Sequence, residues 1–110
     1  MVFLKAPSRS YAEDLARALD PSVRGLELVV LAAHRDAGVR AAVASRPDAP
    51  MASLIALTHE RDVRILAALV DNPASPPTVI RALTGERRSG IALRAMARLR
   101  AMDPRIEGAA

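Results

Sequence analysis

The sequence predicts an all-α protein, a short α-solenoid of about three to four stacked helical repeats with a period near 24–26 residues. Three observations point there. First, Pro21, Pro47 and Pro73 stand 26 residues apart, and Leu28/Leu54/Ile80, Leu31/Leu57/Leu83 and Arg35/Arg61/Arg87 keep the same step. A fixed long period is the signature of stacked repeats. Second, 51% of the residues are apolar, 23 are alanine, and only Phe3 and Tyr11 are aromatic. Alanine favours helices and lets them approach closely, whereas sandwiches and barrels draw on aromatic and β-branched residues. Third, polar caps and prolines punctuate the apolar runs at short intervals.

Taken in order, Ser10-Tyr11-Ala12-Glu13 reads as a capping box opening a helix to about Leu19. Asp20-Pro21 reads as an N-cap with proline at the first helical position, opening a second helix over about 21–34. Its expected inward face is Leu26, Val29, Val30 and Ala33. Gly38 marks a break near 36–38. A short helix follows over about 39–45 with Val39 and Val43 inward, stopped by Arg46-Pro47. Pro47-Asp48-Ala49-Pro50 starts the next unit, whose first helix (about 50–58) turns Met51, Leu54, Ile55 and Leu57 toward a core. The segment from Val63 to Val70 is apolar on almost every side, as in a helix buried mid-stack. Ser75-Pro76 is expected to cap a helix to about Leu83, with Gly85 at C′, and Ser89 to cap a last helix over about 90–102.

Laid against each other without gaps, 39–62 and 65–88 match at nine of 24 positions, including Pro47/Pro73, Pro50/Pro76 and a shared Leu-Thr-x-Glu-Arg string. A second register competes, because Val39-Arg40 and Val63-Arg64 lie 24 apart. A two-residue insertion near 69–72 reconciles the two. One helix pair cannot cover its own apolar face, so the units bury it against their neighbours. The chain, 110 residues long, is read as one helical-repeat domain over 1–104 with a flexible C-terminal tail at 105–110.

The stretch Val39-Arg40-Ala-Ala-Val43-Ala44, then Pro47-Asp-Ala-Pro50, Leu54 and Leu57, resembles the leucine-rich repeat variant family. That family is known by a Val-Arg-x-x-Val-Ala, Pro-x-x-Pro, Leu-x-x-Leu pattern. The stretch from Val63-Arg64 through Pro73 and Pro76 to Leu83 resembles a second copy. The resemblance covers about 36–88 and implies a superhelix of short helices, HEAT-like in shape, that binds rather than catalyses. Some members carry an iron–sulfur module. This chain has no cysteine, so that role does not transfer, and disulfide and thiolate chemistry are excluded with it.

Net charge is +4, and it is unevenly placed. Residues 1–79 carry nine basic and nine acidic side chains, while 80–105 carry seven arginines against Glu86 and Asp103. Arg87, Arg88, Arg94, Arg98 and Arg105 are therefore the candidate partner-binding set. An acidic protein is the expected partner, and a nucleic-acid backbone the alternative. No aromatic residue lies beside them to stack on bases. Asp36, Arg40, Asp62 and Arg64 are expected to form a ladder joining one repeat to the next, as charge pairs do in HEAT-like units. His34 and His59 are too few for a typical zinc site. His34-Arg35-Asp36 lacks the glycine loop, lysine and Asp-Phe-Gly of a kinase. With no nucleophile elbow and no phosphate loop, the chain is expected to be a non-enzymatic scaffold with no cofactor. The apolar opening of 1–4 is too short for a signal-peptide core, and no run reaches membrane length, which points to a bacterial cytoplasm.

Overall fold

The computed structural model describes residues 10–103 and 105. The apolar opening at 1–4 and most of the expected C-terminal tail lie outside the described residues. Among the described residues, seven helices account for the regular structure: α1 (Tyr11–Leu19), α2 (Leu26–Ala32), α3 (Ala37–Ala44), α4 (Met51–Leu57), α5 (Val63–Asp71), α6 (Pro77–Leu83) and α7 (Ile91–Met102). No strand occurs among the described residues. The helices fall into two rows. The odd helices touch in the order α1, α3, α5, α7, and the even helices in the order α2, α4, α6. Each helix also packs on its neighbours in the chain.

The period fixes the core. From the odd row, Val39, Ile65 and Ile91 are fully buried at one step, and Val43, Leu69 and Ala95 at the next. From the even row come Leu28/Leu54/Ile80 and Leu31/Leu57/Leu83, every one of them buried. Each such aliphatic side chain withdrawn from water contributes roughly 1.5–3 kcal/mol. No isolated helix of seven to nine residues would persist, so this row-to-row burial is what holds the helices.

The 26-residue register runs through without an insertion. The N-caps of α1, α3 and α5 are Ser10, Asp36 and Asp62, spaced 26 apart. The 24-residue pairing of Val39 with Val63 is therefore not structural. Val63 is the first residue of α5 and half-buried, whereas the fully buried counterpart of Val39 is Ile65. At α7 the N-cap slips to Gly90, yet Ile91 and Ala95 still fall on the step.

Several local expectations are corrected. The second helix does not start at Pro21. Asp20 instead accepts the Ser22 N–H (2.8 Å) in a tight turn, and Gly25 takes a left-handed φ of +60° at the N-cap of α2. With the start delayed, α2 buries Leu28 and Leu31, and the expected face of Leu26, Val29, Val30 and Ala33 turns outward. In α4 only Leu54 and Leu57 of the expected four go inward; Met51 and Ile55 are exposed. Gly38 is not a break but lies in the first turn of α3, where a Cβ would meet Asp36 Oδ1 and Tyr11 Oη at 2.9 Å. Ser75 is buried and donates to the Leu69 carbonyl (2.6 Å) rather than capping α6, which begins at Pro77 behind Pro76. The N-cap of α7 is Gly90, not Ser89; Gly85 does stand at C′ behind the Thr84 C-cap, though outside the left-handed region.

Candidate partner-binding surfaces

The main tie between repeats is made by residues outside the expected ladder, of which Arg40 alone also crosses between units. Arg46 follows α3 and is almost wholly buried. Its guanidinium donates to the carbonyls of Ala18 (2.9 Å), Asp20 (2.8 Å) and Val23 (2.7 Å), and forks onto both oxygens of Asp48 at 2.8 Å. One step on, the Asn72 amide donates to the carbonyls of Ala44 and Arg46, both at 2.9 Å. One step further, Arg98 donates to those of Val70 (2.8 Å) and Asn72 (2.7 Å). Each rung reaches back to carbonyls 28 and 26 residues earlier. These carbonyls lie at the ends of α1, α3 and α5, where a helix leaves acceptors unsatisfied. The rungs thus repair each helix end with a side chain from the next unit. Asp48 bonding holds the Arg46 guanidinium above its ordinary pKa, so this rung stays charged.

Asp36 and Asp62 cap their own helices, accepting from Gly38 N–H (2.7 Å) and Arg64 N–H (2.9 Å). Arg64 forks back onto Asp62, an i, i+2 pair within one unit that holds the Asp62 carboxyl at about 2. Arg40 does cross between units. It donates to the His34 carbonyl (2.7 Å) and to Glu60 Oε1 (3.1 Å) in the α4–α5 turn. His34 is structural too. Its Nδ1 accepts from Asp36 N–H (2.9 Å), which leaves Nε2–H to donate to Asp14 Oδ2 (2.9 Å).

The C-terminal arginines are brought to one end of the stack, but most are engaged. Arg88 forks onto Glu86, holding that carboxyl at about 2. Arg94 meets both oxygens of Asp71 (3.0 and 2.9 Å), Arg98 is the third rung, and Arg105 forks onto Asp103. Of the five, only Arg87 is exposed without an ion pair or side-chain hydrogen bond among the described residues.

Arg87 belongs to a different set. Arg35, Arg61 and Arg87 sit 26 apart in the turns that follow α2, α4 and α6, and all three are exposed. None has an ion pair or side-chain hydrogen bond among the described residues. The acidic neighbours along this edge are already taken: Asp36 caps, Asp62 and Glu86 hold Arg64 and Arg88, and Glu60 holds Arg40.

Beside that edge the even row is apolar and open. Leu26 (78% exposed), Val30 (63%), Met51 (59%) and Ile55 (43%) face outward. Between α2 and α4 lies a groove of about 260 Å³ lined by Val29, Ala32, Ala33, Ala52, Ser53, Ala56 and Leu57. Four of its seven lining residues are alanines. On α6 the strip ends, since Arg81 takes the step of Val29 and Ile55.

Comparison with known proteins finds no matching family model, no matching curated protein and no matching solved structure. Among the described residues, no group of three or more His, Asp or Glu side chains is placed to hold a metal ion. No helix among them is long and apolar enough to cross a membrane.

Sequence reasoning missed Arg46 and Asn72. Their signal was present: the residue before each repeated proline is Asp20, Arg46 or Asn72, a polar side chain on the step every time.

Proposed function

We propose that this protein is a non-enzymatic helical-repeat scaffold that binds another protein through its even helices. The observation that carries the reading is the open apolar strip of Leu26, Val29, Val30, Met51 and Ile55 beside a well-filled core. Leu19, Leu93 and Met96 are also exposed on the end helices of the odd row, but only the exposed aliphatics of α2 and α4 flank the groove, and these are what a partner would cover. The resemblance of residues 36–88 to the leucine-rich repeat variant family supports the same reading, as does the lack of any catalytic constellation in the sequence. The sequence supports a cytoplasmic site of action.

Binding to a nucleic-acid backbone through the C-terminal arginines has weaker support. Arg88, Arg94 and Arg105 are neutralised by their own carboxylates, and Arg98 is spent on carbonyls.

The test is cross-linking of the purified protein in lysate of its source organism, followed by mapping of the cross-linked sites. Cross-links on α2 and α4 that disappear in Ile55→Glu are the expected result. Cross-links that map elsewhere, or that survive Ile55→Glu, would overturn the reading.

A further inference from the structure

We propose that the edge carrying Arg35, Arg61 and Arg87 reads an extended acidic segment of a partner protein, one carboxylate per repeat, with an apolar side chain set between α2 and α4. The proposal rests on the scaffold reading above and adds the chemistry of the partner.

Three observations carry it. The arginines are equivalent by position, exposed, and free of intramolecular partners among the described residues, while the acids around them are already engaged. A guanidinium fork matches a carboxylate in two parallel hydrogen bonds, so each is a ready receptor. The spacing general to stacked helices also fits. Stacked helices lie roughly 8–10 Å apart. A polyproline-II segment presents the same ridge every three residues, about 9 Å along. Acidic residues at every third position would therefore meet successive arginines. Finally, the apolar groove opens beside this edge: Ala33 is two residues from Arg35, and Leu57 is four from Arg61. A side chain on the neighbouring ridge of the segment would enter it between the first two carboxylates.

The groove is what favours a peptide over nucleic acid. A phosphate backbone has no apolar group to place there.

The probe is a synthetic fluorescent peptide with glutamate at every third position, a leucine beside the second glutamate and prolines between, titrated by fluorescence polarisation. Binding is expected to weaken as salt is raised. It should fall at least tenfold in a variant carrying Arg35→Glu, Arg61→Glu and Arg87→Glu. The triple Arg→Gln variant should show a smaller loss, and Arg105→Glu none. Circular dichroism confirms that each variant is folded. Three results would overturn the proposal: no binding of the peptide, equal binding by the triple Glu variant, or tighter binding of a single-stranded oligonucleotide of equal charge. In lysate, partner cross-links that vanish in Ile55→Glu but persist in the triple variant would leave the scaffold reading standing and remove the arginine edge.

Discussion

Replacing Arg46 by Met tests the rung that joins the first two units. The substitution keeps most of the stem and removes every donor. The carbonyls of Ala18 and Val23 are then left buried without partners, and that of Asp20 is left half-buried. An orphaned buried acceptor costs about 1–3 kcal/mol, so the two buried ones alone account for roughly 2–6. Asp48 also loses its fork, though it is 40% exposed and water takes over much of that role. The expected loss is about 3–5 kcal/mol, in the range for breaking a buried charged network. A domain of this size has only about 5–15 kcal/mol to lose. Urea unfolding followed by helical circular dichroism is the assay. With an m-value of ~1.5–2 kcal/mol/M, the midpoint should drop by about 2 M with the slope unchanged. Arg46→Lys should recover little, because a point charge cannot serve three carbonyls and a carboxylate together. A drop in stability under about 1 kcal/mol in Arg46→Met would refute the reasoning. It would mean that the carbonyls find water or that the guanidinium does not reach them.

Other outcomes follow from the same packing. Leu57→Ala and Leu83→Ala, each at a position 2% exposed, should each cost ~2–5 kcal/mol; a loss below about 0.5 at both would place them on the surface. Gly38→Ala should destabilise despite the better helix propensity of alanine, because its Cβ would meet at 2.9 Å the Asp36 Oδ1 that caps α3, whereas the exposed Tyr11 hydroxyl can swing aside. Stabilisation by that change, measured as a rise in Tm, would show that the Asp36 cap yields to the added Cβ without loss. Asp62 and Glu86 are held at about 2 by hydrogen bonds from the Arg64 and Arg88 side chains, with the backbone N–H of each arginine second. Their folded values lie below the unfolded ones of roughly 4. The small stability they supply is thus complete above pH ~4 and is lost as pH falls toward about 2. Carboxyl-carbon NMR titrations should give midpoints of about 2 that rise part of the way toward ordinary values in Arg64→Gln and Arg88→Gln, where the backbone N–H bonds remain. Ordinary midpoints in the unsubstituted protein would show the pairs to be open.

The period was legible because the positions that keep it, Leu28/Leu54/Ile80 and Leu31/Leu57/Leu83, are large aliphatics in an alanine-rich background. The inward face of α2 was not legible from helical periodicity. Leu26, Val29 and Val30 form as good a stripe as Leu28 and Leu31, so both sides of that helix are apolar. Only the step to Leu54 and Leu57 decides between them. The left-handed Gly25 then sets where the helix starts. Within the candidate surface, the row of Arg35, Arg61 and Arg87 was visible as a period. Its freedom was not, because whether an arginine is spent depends on turns that set a carboxylate beside it. Arg88 folds back on Glu86 and Arg105 on Asp103, each two residues away, while Arg94 reaches Asp71 across 23 residues. The rungs escaped sequence reading for a related reason. Between units Arg46 and Asn72 bond only to carbonyls, which every residue has, so no partner residue type marks the tie.

The most direct test of the repeat account is the surroundings of the Asn72 side-chain amide by NMR. That amide lies between two units and donates to the carbonyls of Ala44 and Arg46. The account predicts slowly exchanging amide protons with cross-peaks to residues 44–46, and matching cross-peaks from the Arg46 guanidinium to residues 18–23. A fast-exchanging Asn72 amide with cross-peaks only inside its own turn would contradict the 26-residue stacking.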